Sequence, residues 1–434
     1  MTKITFMGAG STVFARQLMT DILCVEGLDE GIFALVDIDA GRLELAHKIA
    51  EQLVKHSRKK WDVQSSTQRT EVLAGSDFII NTIEVAGLAN VRHDFDIPLK
   101  YGVNQCIGDT IGPGGIFKAL RTGPDWLAIL HDAERLCPNA WVLNYTNPMS
   151  ILTMVALTAT SMRTVGLCHS VQGSSKQLAR YLDVPYGELE WRCAGINHNA
   201  WFTILRHKGE NMYPRLRKLV TTKAELYEKD PVRFEMMLHF GAFVTESSGH
   251  FSEYVPYFRK RPELIEQYCR PGYLGETGFY ANNWPTWRAT NEQSIREMLD
   301  GTKETPFKRS HEYGSFIIEG IMKHQPAVIY GNVRNDKLIN NLPDGCVEVA
   351  CLVDGNGVQP THFGPLPEQL AALNRTHMSV HSLMCQALTE RNKEAARYAL
   401  MLDPLTAAVC SPAEISALFD EMWEAERPYL QVFA

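Results

Sequence analysis

The sequence predicts an α/β protein in which a doubly wound parallel sheet is followed by a second, mixed α+β domain. Three observations carry that expectation. Short apolar runs alternate with helical stretches through roughly the first 190 residues, the pattern of parallel strands joined by crossover helices. The first run, Ile4-Thr5-Phe6-Met7, enters a tight Gly8-Ala9-Gly10 turn. Beyond the first domain the regular alternation gives way to strands and helices in mixed order.

In the first domain, the strand at Ile4–Met7 leads through the glycine turn into a helix from about Val13 to Val25. The first glycine permits the turn, and the second lets backbone approach a pyrophosphate at the helix N-terminus. The second strand, Ile32–Val36, ends at Asp37, where a carboxylate would accept the ribose hydroxyls of NAD and repel the extra phosphate of NADP. The third fingerprint position is Val13, so the reading rests on the whole strand–turn–helix–strand–acid context. A helix containing Arg42–His56 follows. Phe78-Ile79-Ile80, Trp141-Val142-Leu143 and Arg163–Cys168 read as further buried strands. Residues 1–195 are therefore expected to form a Rossmann-like NAD-binding domain. Its candidate cofactor residues are Gly8, Gly10, Ser11, Thr12 and Asp37, with Asn81 and Asn144 at later strand ends.

Residues 196–434 are expected to form the mixed α+β substrate and metal domain. Trp191–Ile196 and Trp201–Arg206 read as strands flanking a functional turn, with a helix around Arg233–Phe240. A helix near Tyr313–Lys323, strands at Val328–Tyr330 and Cys346–Leu352, and helices around Leu366–Asn374 and Leu383–Met401 complete the chain. No low-complexity linker separates the halves, which suggests a shared cleft between packed domains.

Composition excludes several classes. The 434 residues are 45% hydrophobic, enough for a large core, and carry a net charge of −7. Arg58-Lys59-Lys60 is a short basic cluster at a helix end, not a nucleic-acid surface. No uninterrupted apolar run is long enough to span a membrane. The first strand begins almost at once, leaving no room for a cleavable signal, and ten scattered cysteines suit a reducing cytoplasm. A cytoplasmic protein with a small-molecule substrate is the expectation.

The polar signals cluster after strands of the first domain, where an open parallel sheet places its crevice. Gly108-Asp109-Thr110 and Gly112–Gly115 enter a helix bearing Arg121; Asn144–Pro148 and Cys168-His169-Ser170 leave two later strands. Cys168 and His198, within Asn197-His198-Asn199, could hold a divalent ion with open positions. His169 could instead contact the ligand sphere or the substrate, and either histidine could be a core residue. Thr245–His250 with Glu253-Tyr254 suggests a pocket wall, against the alternative of a surface loop. Gly331–Asn335 could turn toward the cofactor crevice, whereas Asn340–Pro343 resembles an ordinary turn. No Gly-x-Ser-x-Gly elbow, His-Glu-x-x-His helix or phosphate-loop lysine is present.

These segments resemble family 4 glycoside hydrolases, the NAD-dependent group, and are most similar to its bacterial α-galactosidase branch. The resemblance runs nearly end to end, through ITFMGAGSTVFA, GDTIGPGGIFKALRT, LNYTNPM, GLCHSVQG, CAGINHNAW, FVTESSGHFSEY, VIYGNVRND, LPDGCVEVACLVD and LDPLTAA. It implies retained NAD and a Mn2+ held by Cys168 and His198. It also implies Asn147 on the sugar hydroxyls, Asp109 beside the metal and its water, and Arg121 supporting that region. Asn197 and Glu246 join the expected substrate-binding set. The implied chemistry oxidises sugar C3, removes the acidified C2 proton, eliminates the C1 leaving group, adds water and returns the hydride; ordinary glycosidases instead flank the bond with two carboxylates. Tyr254, His250 and Glu246 compete as the C2 base, and His169 ranks first for leaving-group protonation or sugar recognition. The expected substrate is an unphosphorylated α-galactoside such as melibiose. The alternatives are an α-glucuronidase or α-galacturonidase of the same family, or an NAD-dependent 2-hydroxy acid dehydrogenase. A homodimer or homotetramer is expected from the family alone.

Overall fold

The computed structural model describes residues 1–11 and 14–433. Its parallel strands are β1 (Thr2–Met7), β2 (Glu30–Val36), β3 (Lys60–Ser66), β4 (Phe78–Asn81), β5 (Trp141–Asn144) and β6 (Arg163–Leu167). They lie in the order β3-β2-β1-β4-β5-β6, every neighbouring pair parallel, which is the order of a dinucleotide-binding sheet. Apart from the edge strand β3, both faces are largely buried, so the strands read as nearly continuous apolar runs. Phe78 and Ile80 of β4 enter one core and Ile79 the other, as the two-residue period of a strand requires.

The later strands extend this same sheet. They are β7 (Leu189–Ile196), β8 (Asn199–His207), β9 (Glu210–Asn211), β10 (Phe243–Val244), β11 (Ala327–Arg334), β12 (Cys346–Asp354) and β13 (Gly357–Pro360). Strand β11 lies antiparallel to β6, pairing Gly331 with Leu167 and Asn332 with Gly166. Strands β12, β7, β8 and β10 follow, all antiparallel. The expected mixed domain is thus built onto the edge of the parallel sheet. The division expected at 195/196 falls at the end of β7, inside the β7–β8 hairpin.

Most expected elements are present with slightly longer bounds. The helix expected over 42–56 runs Ala40–Ser57, begun by Asp39, whose Oδ1 accepts the amides of Gly41 and Arg42 at 3.0 and 3.1 Å. The helix expected from Val13 is described over Phe14–Leu23, and Val13 lies outside the described residues. Two late helices divide at a different place from that expected: Glu368–Glu390 is continuous and Lys393–Leu402 follows. The basic cluster lies at the end of the helix Ala40–Ser57, with Arg58 as its C-cap and Arg58 and Lys60 exposed. Lys60 opens β3, and Lys59 Nζ donates to the carbonyls of Val25 and Leu28. The helices Gly87–Lys100, Phe279–Asp300 and Pro412–Ala425 are further additions. Among the described residues no helix is long and apolar enough to cross a membrane.

The turn before the long helix Gly112–Leu136 positions the crevice. A Cβ on Gly114 would lie 2.2 Å from the Gly108 carbonyl oxygen, and one on Gly115 2.3 Å from the Thr110 carbonyl carbon. Both contacts are with backbone, so no side chain can swing aside. Gly115→Ala is expected to destabilise the protein by about 1–3 kcal/mol, the usual range for overpacking. Urea unfolding would show it as a lowered midpoint at unchanged slope; an unchanged midpoint would show that the turn yields freely.

Candidate active site

The carboxyl ends of β1, β2, β4, β5 and β6 open onto one edge, and the β7–β8 turn and the segment after β10 reach the same edge. Strand β6 delivers Cys168. The two-residue turn Asn197-His198 delivers His198, whose φ of +63° lies in the left-handed region. That conformation costs a residue with a Cβ roughly 1–2 kcal/mol. The segment after β10 supplies Glu246, and the helix Ser248–Tyr254 supplies His250 and Tyr254.

Cys168, His198 and Glu246 each offer a donor atom, and all three atoms lie within 4.8 Å of one another. His198 Nε2 is 3.4 Å from Glu246 Oε2, while its Nδ1 is 3.2 Å from the Tyr254 hydroxyl. The far ring nitrogen is therefore held by a phenol, as the outer nitrogen of a metal-binding histidine usually is held by a neighbour. Burial alone would raise the Cys168 thiol, but the His198 imidazole outweighs it and holds it down at about 7. Burial would lower His198, yet Glu246 and Cys168 raise it. Glu246 is held below the usual carboxylate range because His198 and His250 overcome its desolvation. A thiolate, an imidazole and a carboxylate at this spacing fit a divalent cation and leave positions open for substrate oxygens.

Asp109 faces this triad. Its Oδ2 accepts Asn147 Nδ2 at 3.2 Å, its Oδ1 accepts the Thr110 hydroxyl at 2.6 Å, and Lys118 Nζ lies 3.7 Å away. Desolvation would raise Asp109, but Lys118 and His250 hold it at about 2. Lys118 also pairs with Glu84 at 2.8 Å. His250 Nε2 is buried without a hydrogen-bond partner, 3.9 Å from Asp109 Oδ1. His169 stands half-exposed at the cavity rim, bonded through Nε2 to Glu312 and stacked on Phe14. Burial would lower its pKa, and Glu312 raises it overall.

Two cavities meet here. One, of about 560 Å³, contains Cys168, His198, Glu246, His250, Asp109 and Asn147 in its walls and has the size of a small-ligand site. The second, also about 560 Å³, is lined by Gly8, Ser11, Asp37, Thr82, Glu84 and residues of the helix Phe279–Asp300. Asp109, Asn147, Tyr145 and Tyr280 belong to both walls. Gly8, at φ +77°, has no space for a side chain against the backbone of Thr82 and Ile83, and a Cβ on Gly10 would meet the Asp37 carboxylate at 2.6 Å. The second cavity therefore has the close backbone approach that a dinucleotide requires.

Several expected site residues are placed differently. Asn81 and Asn144 face each other across β4 and β5, and Asn81 Nδ2 donates to Asn144 Oδ1 at 2.8 Å. They are sealed in the sheet, so neither side chain lines the cofactor cavity. Asp37 lines it but already accepts the amides of Gly10 and Asp39 at 2.8 and 3.0 Å. Thr12 lies outside the described residues. Arg121 is not in the sugar-sized cavity: its guanidinium is buried between Asp94 and Glu426, at 2.5 and 3.0 Å. Asn197, the first residue of the turn, is buried and lines neither cavity. Tyr254 is also absent from the walls, because its hydroxyl supports His198 from behind, and Glu246 stands among the candidate metal donors. Sequence reasoning missed Lys118, which sits inside a quoted motif and whose charge only becomes significant beside Asp109. It also missed Glu312 and Trp284, which come from segments with no motif.

Residues 3–184 match the family model described as family 4 glycosyl hydrolase, and residues 193–406 match that of its C-terminal domain. The chain is 41% identical to an α-galactosidase of Bacillus subtilis (strain 168), over 99% of each chain. It is 28% identical to an α-galacturonidase of Thermoanaerobacterium saccharolyticum, over 98% of this chain and 96% of the other. A solved 6-phospho-α-glucosidase from gut microorganisms, in complex with NAD and Mn2+, superposes with a TM-score of 0.81 at 22% identity, covering 99% and 98% of the two chains.

The other nine cysteines all have raised pKa values, burial being the leading cause, so Cys168 should be the one reactive thiol near neutrality. Alkylation of metal-free protein by iodoacetamide, followed by peptide mass spectrometry, should modify Cys168 first, with a midpoint near pH 7. Added Mn2+ should protect it. A midpoint above pH 8.5 would show that His198 does not pair with the thiolate.

Proposed function

The chain belongs to the family 4 glycosyl hydrolases, and on that premise we propose that it is an NAD- and divalent-metal-dependent α-galactosidase acting on unphosphorylated α-galactosides such as melibiose. The observation that carries this reading is the adjacency of the Cys168–His198–Glu246 donor set to a dinucleotide-sized cavity, with Asp109 and Asn147 in the shared wall. Mn2+ is the proposed ion, held by those three side chains, and NAD the proposed dinucleotide, at Gly8, Ser11 and Asp37. When bound, NAD would accept and return a hydride at sugar C3, and the ion would acidify the C2 proton by polarising the sugar oxygens.

The protein's own groups then have distinct tasks. His250 is assigned to the C2 proton: its Nε2 has no partner in the cavity wall, whereas the Tyr254 hydroxyl is occupied by His198. Asp109, ionised and fixed by Asn147 and Thr110, keeps its charge toward His250. His169, with its proton retained by Glu312, is assigned to the leaving-group oxygen at the rim. Asn147 is assigned to the sugar hydroxyls.

A neutral galactoside suits the charges of the cavity better than a phosphorylated sugar. Arg233 is buried against Asp230, with Nε 2.7 Å from Oδ1, and also donates to Ser174 at 2.7 Å. Arg180, exposed at the cavity edge, is a cation that a uronate could use, and the α-galacturonidase relative supports that second reading.

Turnover of p-nitrophenyl α-galactoside with NAD+ and Mn2+ should exceed that of the α-galacturonide by at least about 10²-fold in kcat/KM, an unambiguous margin of discrimination. Better turnover of the galacturonide would replace this substrate with the second reading. Cys168→Ser should lose nearly all hydrolysis and Mn2+ binding while its NAD+ dissociation constant stays within threefold. A fully active variant would remove the thiolate from the metal site. Galactose released in D2O should carry deuterium at C2, and protium retained there would exclude the proton-abstraction route.

A further inference from the structure

We propose that Glu253 is a positioning residue that sets the separation of Asp109 and His250 by gathering three consecutive backbone amides of the loop leading to Asp109. The inference rests on the active-site reading above for the roles of that pair. Glu253 is 2% exposed. Its Oε1 accepts the amides of Cys106 and Ile107 at 2.5 and 2.6 Å, and its Oε2 accepts that of Gly108 at 3.1 Å. The next residue is Asp109. Burying a carboxylate is costly unless donors surround it, and here the donors are peptide dipoles.

The arrangement asks for a carboxylate. A glutamine could offer its one oxygen to two of the amides, but its NH2 would then confront the third donor. Gly108 has φ +67°, so the chain turns sharply between the clamped amides and the Asp109 side chain. On the far side of the loop, Gln105 Nε2 donates to the Asp94 carbonyl at 2.7 Å. The segment is thus pinned on both sides.

His250 and Glu253 are three residues apart on the helix Ser248–Tyr254, a spacing that puts them on one face. This short helix therefore holds both partners of the Asp109–His250 pair, one directly and the other through the loop. Their 3.9 Å separation is longer than a hydrogen bond. Displacement of catalytic groups by about 1 Å commonly costs 10²-fold in rate, so a relaxed clamp should be felt in turnover.

The test uses the full-length protein with NAD+ and Mn2+ and p-nitrophenyl α-galactoside. Glu253→Gln should lower kcat by about 10²-fold, with KM and the NAD+ dissociation constant within threefold. Added to Asp109→Asn, it should cost less than threefold more, because it acts through the missing carboxylate. Hydrogen exchange of the peptide spanning 104–110 should accelerate about tenfold in Glu253→Gln, while peptides of β1 and β2 stay unchanged. Glu253→Asp, which keeps the charge, should recover part of kcat.

A Glu253→Gln kcat within threefold of the parent, or an equal loss in both backgrounds, would overturn the proposal. So would unchanged exchange over 104–110, the deciding measurement if Asp109→Asn is too slow to assay. If Glu253→Gln does not fold, exchange and kcat of Glu253→Asp decide: parent values in both overturn it. Full activity of Asp109→Asn would instead remove Asp109 from the active-site reading.

Discussion

Two residue pairs join the parallel strands of the sheet to its antiparallel strands: Leu167 with Gly331, and Gly166 with Asn332. Through them the last parallel strand accepts an antiparallel neighbour, and the sheet continues without an edge. The junction tolerates little bulk. A Cβ on Gly166 would lie 2.5 Å from Thr153 Oγ1 and 2.6 Å from Met149 Sδ, and one on Gly331 2.9 Å from Val165. Cys168 follows the junction by one residue. Its partners arrive from the far side, because β12 and β7 come next in order and the β7–β8 turn carries His198. That pairing places the strand end bearing Cys168 and the turn bearing His198 in one continuous sheet.

The site is also a solution to burying charge. Removing ions from water is expensive, and a buried ion pair compensates only when its geometry is good and its remaining hydrogen-bonding capacity is satisfied. Here Asp109 shares Lys118 with Glu84, Arg121 spans Asp94 and Glu426, and Arg233 binds Asp230 bidentately. Glu253 is met by backbone amides. In the cavity wall His250 Nε2 is buried without a hydrogen-bond partner, and the donor atoms of Cys168, His198 and Glu246 lie within 4.8 Å of one another. The same pairing explains why Arg121, although in a motif beside the crevice, is a structural strut.

The parallel half was legible because its strands are buried on both faces and its first turn demands glycine. Ile4–Met7, the Phe78 run and the Trp141 run announce themselves by unbroken apolarity. Strand β3 does not, since its sequence KWDVQSS is mostly exposed at the edge of the sheet. The helix Phe279–Asp300 was equally silent: only Ala281, Ile295 and Met298 are buried along it, so it lacks a strong apolar stripe. Yet it walls the cofactor cavity.

The sequence by itself determined the strand–turn–helix entry, the family and two of the three candidate metal donors, Cys168 and His198, because backbone conformation and donor chemistry are local properties. Tertiary structure decided which candidates share a cavity. Asn81 and Asn144 turned toward each other, Tyr254 moved behind His198, and Glu246 joined the candidate metal donors. Those outcomes depend on strand register and on side chains far apart in the chain, and no local pattern encodes the distance between them.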